Sequence, residues 1–295
     1  MPRIVISAPD ATRISIDKAL SDEVNKLGNP LKQRILHLKI LGRYKEMIFH
    51  TYGNKENSAV IFIHGMFTPY SIWNKAVQEY AGEHYVIVPE LDGHTEDEAS
   101  TFISVDDEVK KLEGFISSEL NGKVYLLAGL SMGGRIVSEL AKSTAIKIEN
   151  LVIDGAPLMK VNGLFKGIMK SNYKSILSKS KARDPKIKAS FEVNCLPGEY
   201  WEEFLKIADN MNVETIDNII DTVFKPFEFI KYPDDMRILF MHGTKGNESV
   251  SKKGALKMKE MNPKMEIRSF DGLAHAELAC FKPEQWIREI REFTK

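Results

Sequence analysis

Residues 123–140 read KVYLLAGLSMGGRIVSEL. An apolar run of strand character passes into Gly129-Leu130-Ser131-Met132-Gly133-Gly134 and then into a helical pattern, which puts Ser131 on the turn between a strand and a helix. A serine there is held in a strained backbone conformation, and glycines two residues to either side remove the side chains that would collide with it. Its hydroxyl is thereby exposed, and the positive end of the following helix lies beside any charge that develops during nucleophilic attack. The spacing G-x-S-x-G alone is common; its weight here comes from the strand before and the helix after. The competing reading is a glycine-rich turn that serves close packing only.

Working outward from this turn, further strand-like runs occur at 58–65 (SAVIFIHG), 84–91 (HYVIVPEL), 149–156 (ENLVIDGA), 236–243 (MRILFMHG) and 264–270 (KMEIRSF). They are nearly continuous apolar stretches, as expected of strands buried on both faces of a mainly parallel sheet. Helical patterns separate them near 69–81, 104–120, 132–143, 250–261 and 282–294, with Thr68-Pro69 at one start and Asn121-Gly122 at one end. Upstream, 34–40 and 45–52 flank a short connection containing Gly42 and read as an antiparallel hairpin at the sheet edge. Residues 1–30 hold one helical stretch, Ile16 to Leu27, and no motif tied to chemistry. The expected organisation is an N-terminal extension (1–30), an α/β core (31–156 and 233–295) and a helical cap (157–232).

The cap segment is segregated in charge. Its stretch 158–190 carries nine Lys or Arg and one Asp, whereas 191–230 carries nine Asp or Glu and two Lys. Solvated helix faces with mutual charge pairing are the plainer expectation, and recognition of an acidic substrate or surface the sharper one. Over the whole chain 41 basic residues balance 41 acidic ones, so no overall field favours nucleic acid or another polyanion. Only Cys195 and Cys280 are present, which disfavours a disulfide framework or a thiolate metal site and fits a reducing cytoplasm. No run near the N-terminus is apolar enough for a signal peptide and no stretch of eighteen apolar residues occurs, so neither secretion nor a membrane span is expected.

In order and spacing, IFIHGMF (61–67), PELDGHTEDE (89–98), GLSMGG (129–134), LVIDGAP (151–157), LFMHG (239–243) and GLAHAEL (272–278) resemble the α/β-hydrolase superfamily, in its small esterase-like branch, from about residue 45 to the C-terminus. The resemblance implies an α/β-hydrolase fold with a helical cap between two strands, and Ser131 as nucleophile. It also implies oxyanion hydrogen bonds from the backbone N–H groups of Met66 and Met132. His275, in the loop after the last strand, is placed to act as general base. The acid is displaced from the family pattern: after His242-Gly243 the position usually held by Asp is Gly246, and Glu248 follows two residues later. Glu248 is the leading candidate, Asp154 the alternative, and an absent or unconventional acid a third. Ser131, Glu248 and His275 keep the family's chain order.

Other residues have plainer roles. His64 and His94 read as scaffolding, Cys280 as an apolar core residue, and Trp73, Trp201 and Trp286 as packing residues, with Trp201 near the cap. The acidic run at 92–98 reads as a solvated loop and not a metal site. Phe67, Phe204 and Phe227 are the expected substrate pocket, with further apolar cap residues including Leu164, Phe165, Ile168, Met169 and Tyr173. The expected activity is hydrolysis of a small or medium ester through an acyl-enzyme, without cofactor or metal. Acyl transfer, carbon–carbon cleavage with the same residues, and a ligand-binding pseudo-enzyme stay open, as does the oligomeric state.

Overall fold

The computed structural model describes residues 47–246 and 248–295. The expected helix within 1–30 and the strand at 34–40 lie outside the described residues. The remaining strand of the expected hairpin is β1 (Ile48–Tyr52), and it pairs antiparallel with β3 (Tyr85–Glu90). Among the described residues, β2 (Ala59–Ile63), β4 (Lys123–Leu130), β5 (Lys147–Asp154), β6 (Arg237–Gly243) and β7 (Glu266–Phe270) join them in a seven-stranded sheet in the order β1-β3-β2-β4-β5-β6-β7, parallel apart from the β1/β3 pair.

The apolar runs form central strands because both faces of the sheet are covered. In β2, Ile61 and Ile63 join one core with Leu112 and Ile116 of α2 (Val105–Glu119) and Ile136 and Val137 of α3 (Met132–Leu140). Val60 and Phe62 point the opposite way, as strand alternation requires, and meet Trp73, Tyr80 of α1 (Asn74–Tyr80), Trp286 and Ile290. The expected helix at 69–81 is divided, with a 3-10 turn at Tyr70–Trp73 ahead of α1. Ser104 caps α2 by accepting from the Asp107 N–H, and Asp106, Asp107 and Glu108 complement the positive end of that helix.

Four helices lie between β5 and β6: α4 (Gly163–Lys181), α5 (Pro185–Asn194), α6 (Trp201–Asn210) and α7 (Val213–Val223). Their opposite charges pair, Lys170 with Asp221, Lys174 with Asp217 and Arg183 with Asp209. The insert is also bonded to the core. Asn210 Nδ2 donates to the carbonyls of Thr95 and Glu96, and Asn218 Nδ2 to that of Phe102. Arg135 of α3 donates to the carbonyls of Val223 and Lys225 where the chain returns. After it come α8 (Glu248–Met261), α9 (Glu277–Phe281) and α10 (Pro283–Thr294). Among the described residues no helix is long and apolar enough to cross a membrane.

Candidate active site

Ser131 occupies the expected turn. Its φ of 54° and ψ of −112° are unfavourable for a residue with a Cβ, and its N–H donates to the Asp154 carbonyl at 2.7 Å, which fixes the strained turn to the end of β5. The glycines around it are steric requirements. A Cβ on Gly129 would lie 2.4 Å from the Gly133 carbonyl oxygen, and one on Gly133 would lie 2.4 Å from that of Ile63. Helix α3 thus begins directly against the ends of β2 and β4, with no room between.

His275 comes to Ser131 from the loop after β7. That loop is clamped to the one after β6: the N–H groups of Thr244 and Lys245 both donate to the Leu273 carbonyl, and the Gly272 N–H donates to Thr244 Oγ1. Ala276, in a left-handed conformation with φ 62°, then turns the chain into α9. The clamp brings Glu248, the first residue of α8, beneath His275. Nδ1 of His275 lies 2.5 Å from Glu248 Oε1, and Nε2 lies 2.8 Å from Ser131 Oγ.

The proton positions along this line follow from the carboxylate. Glu248 is almost fully buried, which pushes its carboxyl pKa up. The hydrogen bond and field of His275, with the Gly243 N–H at 2.9 Å from Oε2, outweigh that and hold it below its ordinary value. An ionised carboxylate only accepts, so His275 Nδ1 donates to it, and in that tautomer Nε2 is left to accept from the Ser131 hydroxyl. Gly155 leaves space for the pair: a Cβ there would stand 3.0 Å from His275 Cε1.

Asp154 is not His275's hydrogen-bond partner. Its Oδ2 accepts from Trp286 Nε1 at 2.9 Å, and burial together with the nearby Glu248 charge pushes its pKa up to about 7. Trp286 is therefore more than packing, a role that required knowing where α10 lies. His64 is buried and pushed down to about 4; its Nδ1 donates to the Gly65 carbonyl and its Nε2 accepts from the Leu91 N–H, tying the turn after β2 to the end of β3. His94, also buried, is pushed down to about 3.

Met66 lies in the turn that abuts the serine, since a Cβ on Gly65 would lie 3.4 Å from Ser131 Cβ. Among the described residues the N–H groups of Met66 and Met132 donate to no loop or turn carbonyl. Phe67, at φ 60°, faces Tyr173 of α4 at 5.8 Å and Phe204 of α6 at 6.0 Å between ring centroids. Phe204 in turn packs on Phe191 and Trp201. The structure does not bring Phe227 into this group. Its ring lies under Lys142 Nζ and Arg135 on the side of α3, held there by Arg135's bonds to the returning chain. Leu164, Phe165 and Ile168, expected to line the pocket, face solvent instead.

The acidic run at 92–98 is not a uniformly solvated loop. Asp92 is buried and pairs with Lys111 of α2, whose ammonium also meets Asp107 at 2.7 Å and Glu108 at 3.7 Å. The cation among these carboxylates is the lysine itself, reaching back from α2.

A model of the alpha/beta hydrolase family matches residues 60–205. An AB hydrolase superfamily protein of Gibberella zeae is 26% identical over 117 residues, a stretch that is 39% of this chain and 41% of that protein. The chain thus matches less than half the length of that curated relative. Among solved structures, a marine microorganism esterase is similar with a TM-score of 0.66 at 19% identity, over 85% of this chain and 100% of the other. MenH from S. aureus is similar with a TM-score of 0.63 at 17% identity, over 85% and 98%. At such identities the likeness is one of fold. The family match, the sheet order and the strained serine between β4 and α3 agree, and the chain belongs to the α/β-hydrolase superfamily.

Proposed function

We propose that this protein hydrolyses a small or medium carboxylic ester through an acyl-enzyme on Ser131. The observation that carries the reading is the continuous line Ser131 Oγ, His275 Nε2, His275 Nδ1, Glu248 Oε1, closed at both steps by hydrogen bonds in a single tautomer. Ser131 Oγ attacks the ester carbonyl while its proton passes to His275 Nε2; the carbonyl π electrons move onto oxygen, which accepts from the Met66 and Met132 N–H groups. The tetrahedral centre collapses, the C–O bond to the alcohol breaks, and His275 returns the proton to the leaving oxygen. Water then repeats the sequence against the acyl group, His275 taking its proton and handing it to Ser131. Glu248 stays ionised and offsets the imidazolium charge in each half.

The helices of the insert act as a cap, and Phe67, Tyr173 and Phe204 form the wall facing the acyl group. The test is turnover of a p-nitrophenyl ester series from acetate to octanoate by wild type and Ser131→Ala. The reading expects hydrolysis by wild type, with the variant falling by at least about a thousandfold. Turnover that survives in Ser131→Ala, or that is absent across the series in wild type, overturns it.

A further inference from the structure

Helix α4, GLFKGIMKSNYKSILSKSK, carries five lysines and no acid. Its inward face is accounted for, because Met169, Tyr173 and Leu177 pack with Ile207, Ile216 and Ile220. Its outward face opens with three large apolar side chains in two turns: Leu164 is 80% exposed, Phe165 51% and Ile168 50%. A cluster of that kind at a helix start is unusual for a surface that meets only water. The bare backbone of Gly163 and Gly167 beside it has open space around it, so the tip stands clear of the other described residues.

Cations rim this tip. Lys166 Nζ donates to the Asp221 carbonyl at 3.1 Å and Lys170 Nζ to Asp221 Oδ2 at 2.7 Å, which sets these two ammonium groups side by side; burial, with the fields of Lys170, Lys225 and Lys160 against that of Asp221, lowers the pKa of Lys166. The carboxylates paired with these lysines are Asp221 and, at 3.9 Å from Lys170, Asp217. Among the described residues, four ammonium groups against two carboxylates leave the rim positive. The chain's balanced total charge conceals this local excess.

We propose that the first two turns of α4 dock this protein on an anionic lipid surface, with Leu164, Phe165 and Ile168 entering the headgroup boundary and Lys160, Lys166 and Lys170 meeting lipid phosphates and carboxylates. An apolar face edged by lysine is the pattern of helices that lie in a membrane interface, and the flexible lysine stems let the charges stay in the polar layer as the apolar tip enters. A bilayer fits better than a folded partner: among the described residues nothing stands against Gly163 or Gly167 beside the apolar side chains, and the cations of the rim match a diffuse negative field. The same helix reaches the candidate active site. Tyr173, which faces Phe67, lies five residues past Ile168, about 7.5 Å along the helix axis. Docking would hold the pocket wall near the lipid.

Docking is read without turnover, so it fails or stands separately from the esterase reading. The experiment is flotation of the full chain with phosphatidylcholine vesicles containing phosphatidylserine, beside pure phosphatidylcholine vesicles, for wild type, for Leu164→Ser/Phe165→Ser/Ile168→Ser and for Lys160→Glu/Lys166→Glu. All these positions are at least partly exposed, and unchanged circular dichroism and thermal transitions establish that the variants fold. The proposal expects wild type to float with the anionic vesicles, to do so at least tenfold less with neutral ones or at high salt, and both variants to lose at least tenfold in partitioning. It is overturned if wild type does not float, or if the serine variant floats equally well. It is also overturned if sedimentation shows a dimer that the serine variant dissolves while neither protein binds vesicles, because the tip then meets a second copy of the chain.

Discussion

Replacing Glu248 by Gln changes little volume but reverses the direction of one hydrogen bond. Oε2 accepts from the Gly243 N–H at 2.9 Å, so the amide oxygen of the glutamine must take that side, and its NH2 must face His275. Nδ1 then becomes an acceptor and the ring proton moves to Nε2, where it points at Ser131 and cannot accept the hydroxyl proton. The opposite amide rotamer sets two donors against each other at a buried site, which costs about 1–3 kcal/mol and permits a small active population. Loss of the negative charge removes the partner of the imidazolium as well. A trapped tautomer in a Ser-His-acid site costs up to about ten-thousand-fold, near 5 kcal/mol in barrier height, and the minor rotamer sets the lower limit near a hundredfold. The assay is the second-order rate of labelling by a fluorophosphonate, followed by intact mass, with thermal unfolding alongside to establish that the variant folds. A Glu248→Gln rate within tenfold of wild type, with Asp154→Asn severely slowed, would refute the assignment of Glu248 as the orienting acid.

Ser131→Gly should abolish labelling yet raise Tm by about 2–4 °C, because a strain of order 1 kcal/mol at φ 54° is released; a lower Tm would contradict that. Asp154 has a pKa raised to about 7 by burial, so between about pH 4 and 7 the folded state keeps a proton that the unfolded chain releases, and the stability it contributes falls as pH rises through that window. Asp154→Asn, neutral throughout, should therefore gain Tm relative to wild type between pH 5 and 7, and a pH-independent difference would rule out the buried acid. Phe204→Leu should cost under about 1.5 kcal/mol in stability and raise the preference for longer over shorter acyl esters by about tenfold. An unchanged ratio of kcat/KM values would remove Phe204 from the pocket wall.

The sheet could be read from sequence because its central strands are buried on both faces, which leaves continuous apolar runs such as AVIFI and LVID. The turn that carries Ser131 could be read because close backbone approach at Gly129 and Gly133 admits no side chain. Glu248 was legible as a candidate but not as a partner. The two extra loop residues place it as the first residue of α8, two positions before the expected helix start, and only the loop clamp brings it under His275. Helical periodicity in the insert identified apolar faces without saying what they meet. Phe204 turned toward Phe67, Phe227 toward Arg135, and the tip of α4 toward solvent. Asp92 likewise looked solvated among its acidic neighbours because Lys111, which neutralises it, stands 19 residues away.

The central claim is that Ser131 is an activated nucleophile, and its most direct test is peptide mapping by mass spectrometry after fluorophosphonate treatment of the native and the heat-unfolded protein. The account predicts one phosphonyl group per native chain, carried by the peptide containing GLSMGG at Ser131, and none after unfolding or in Ser131→Ala. An unlabelled native protein, or a label elsewhere that persists in Ser131→Ala, would contradict it.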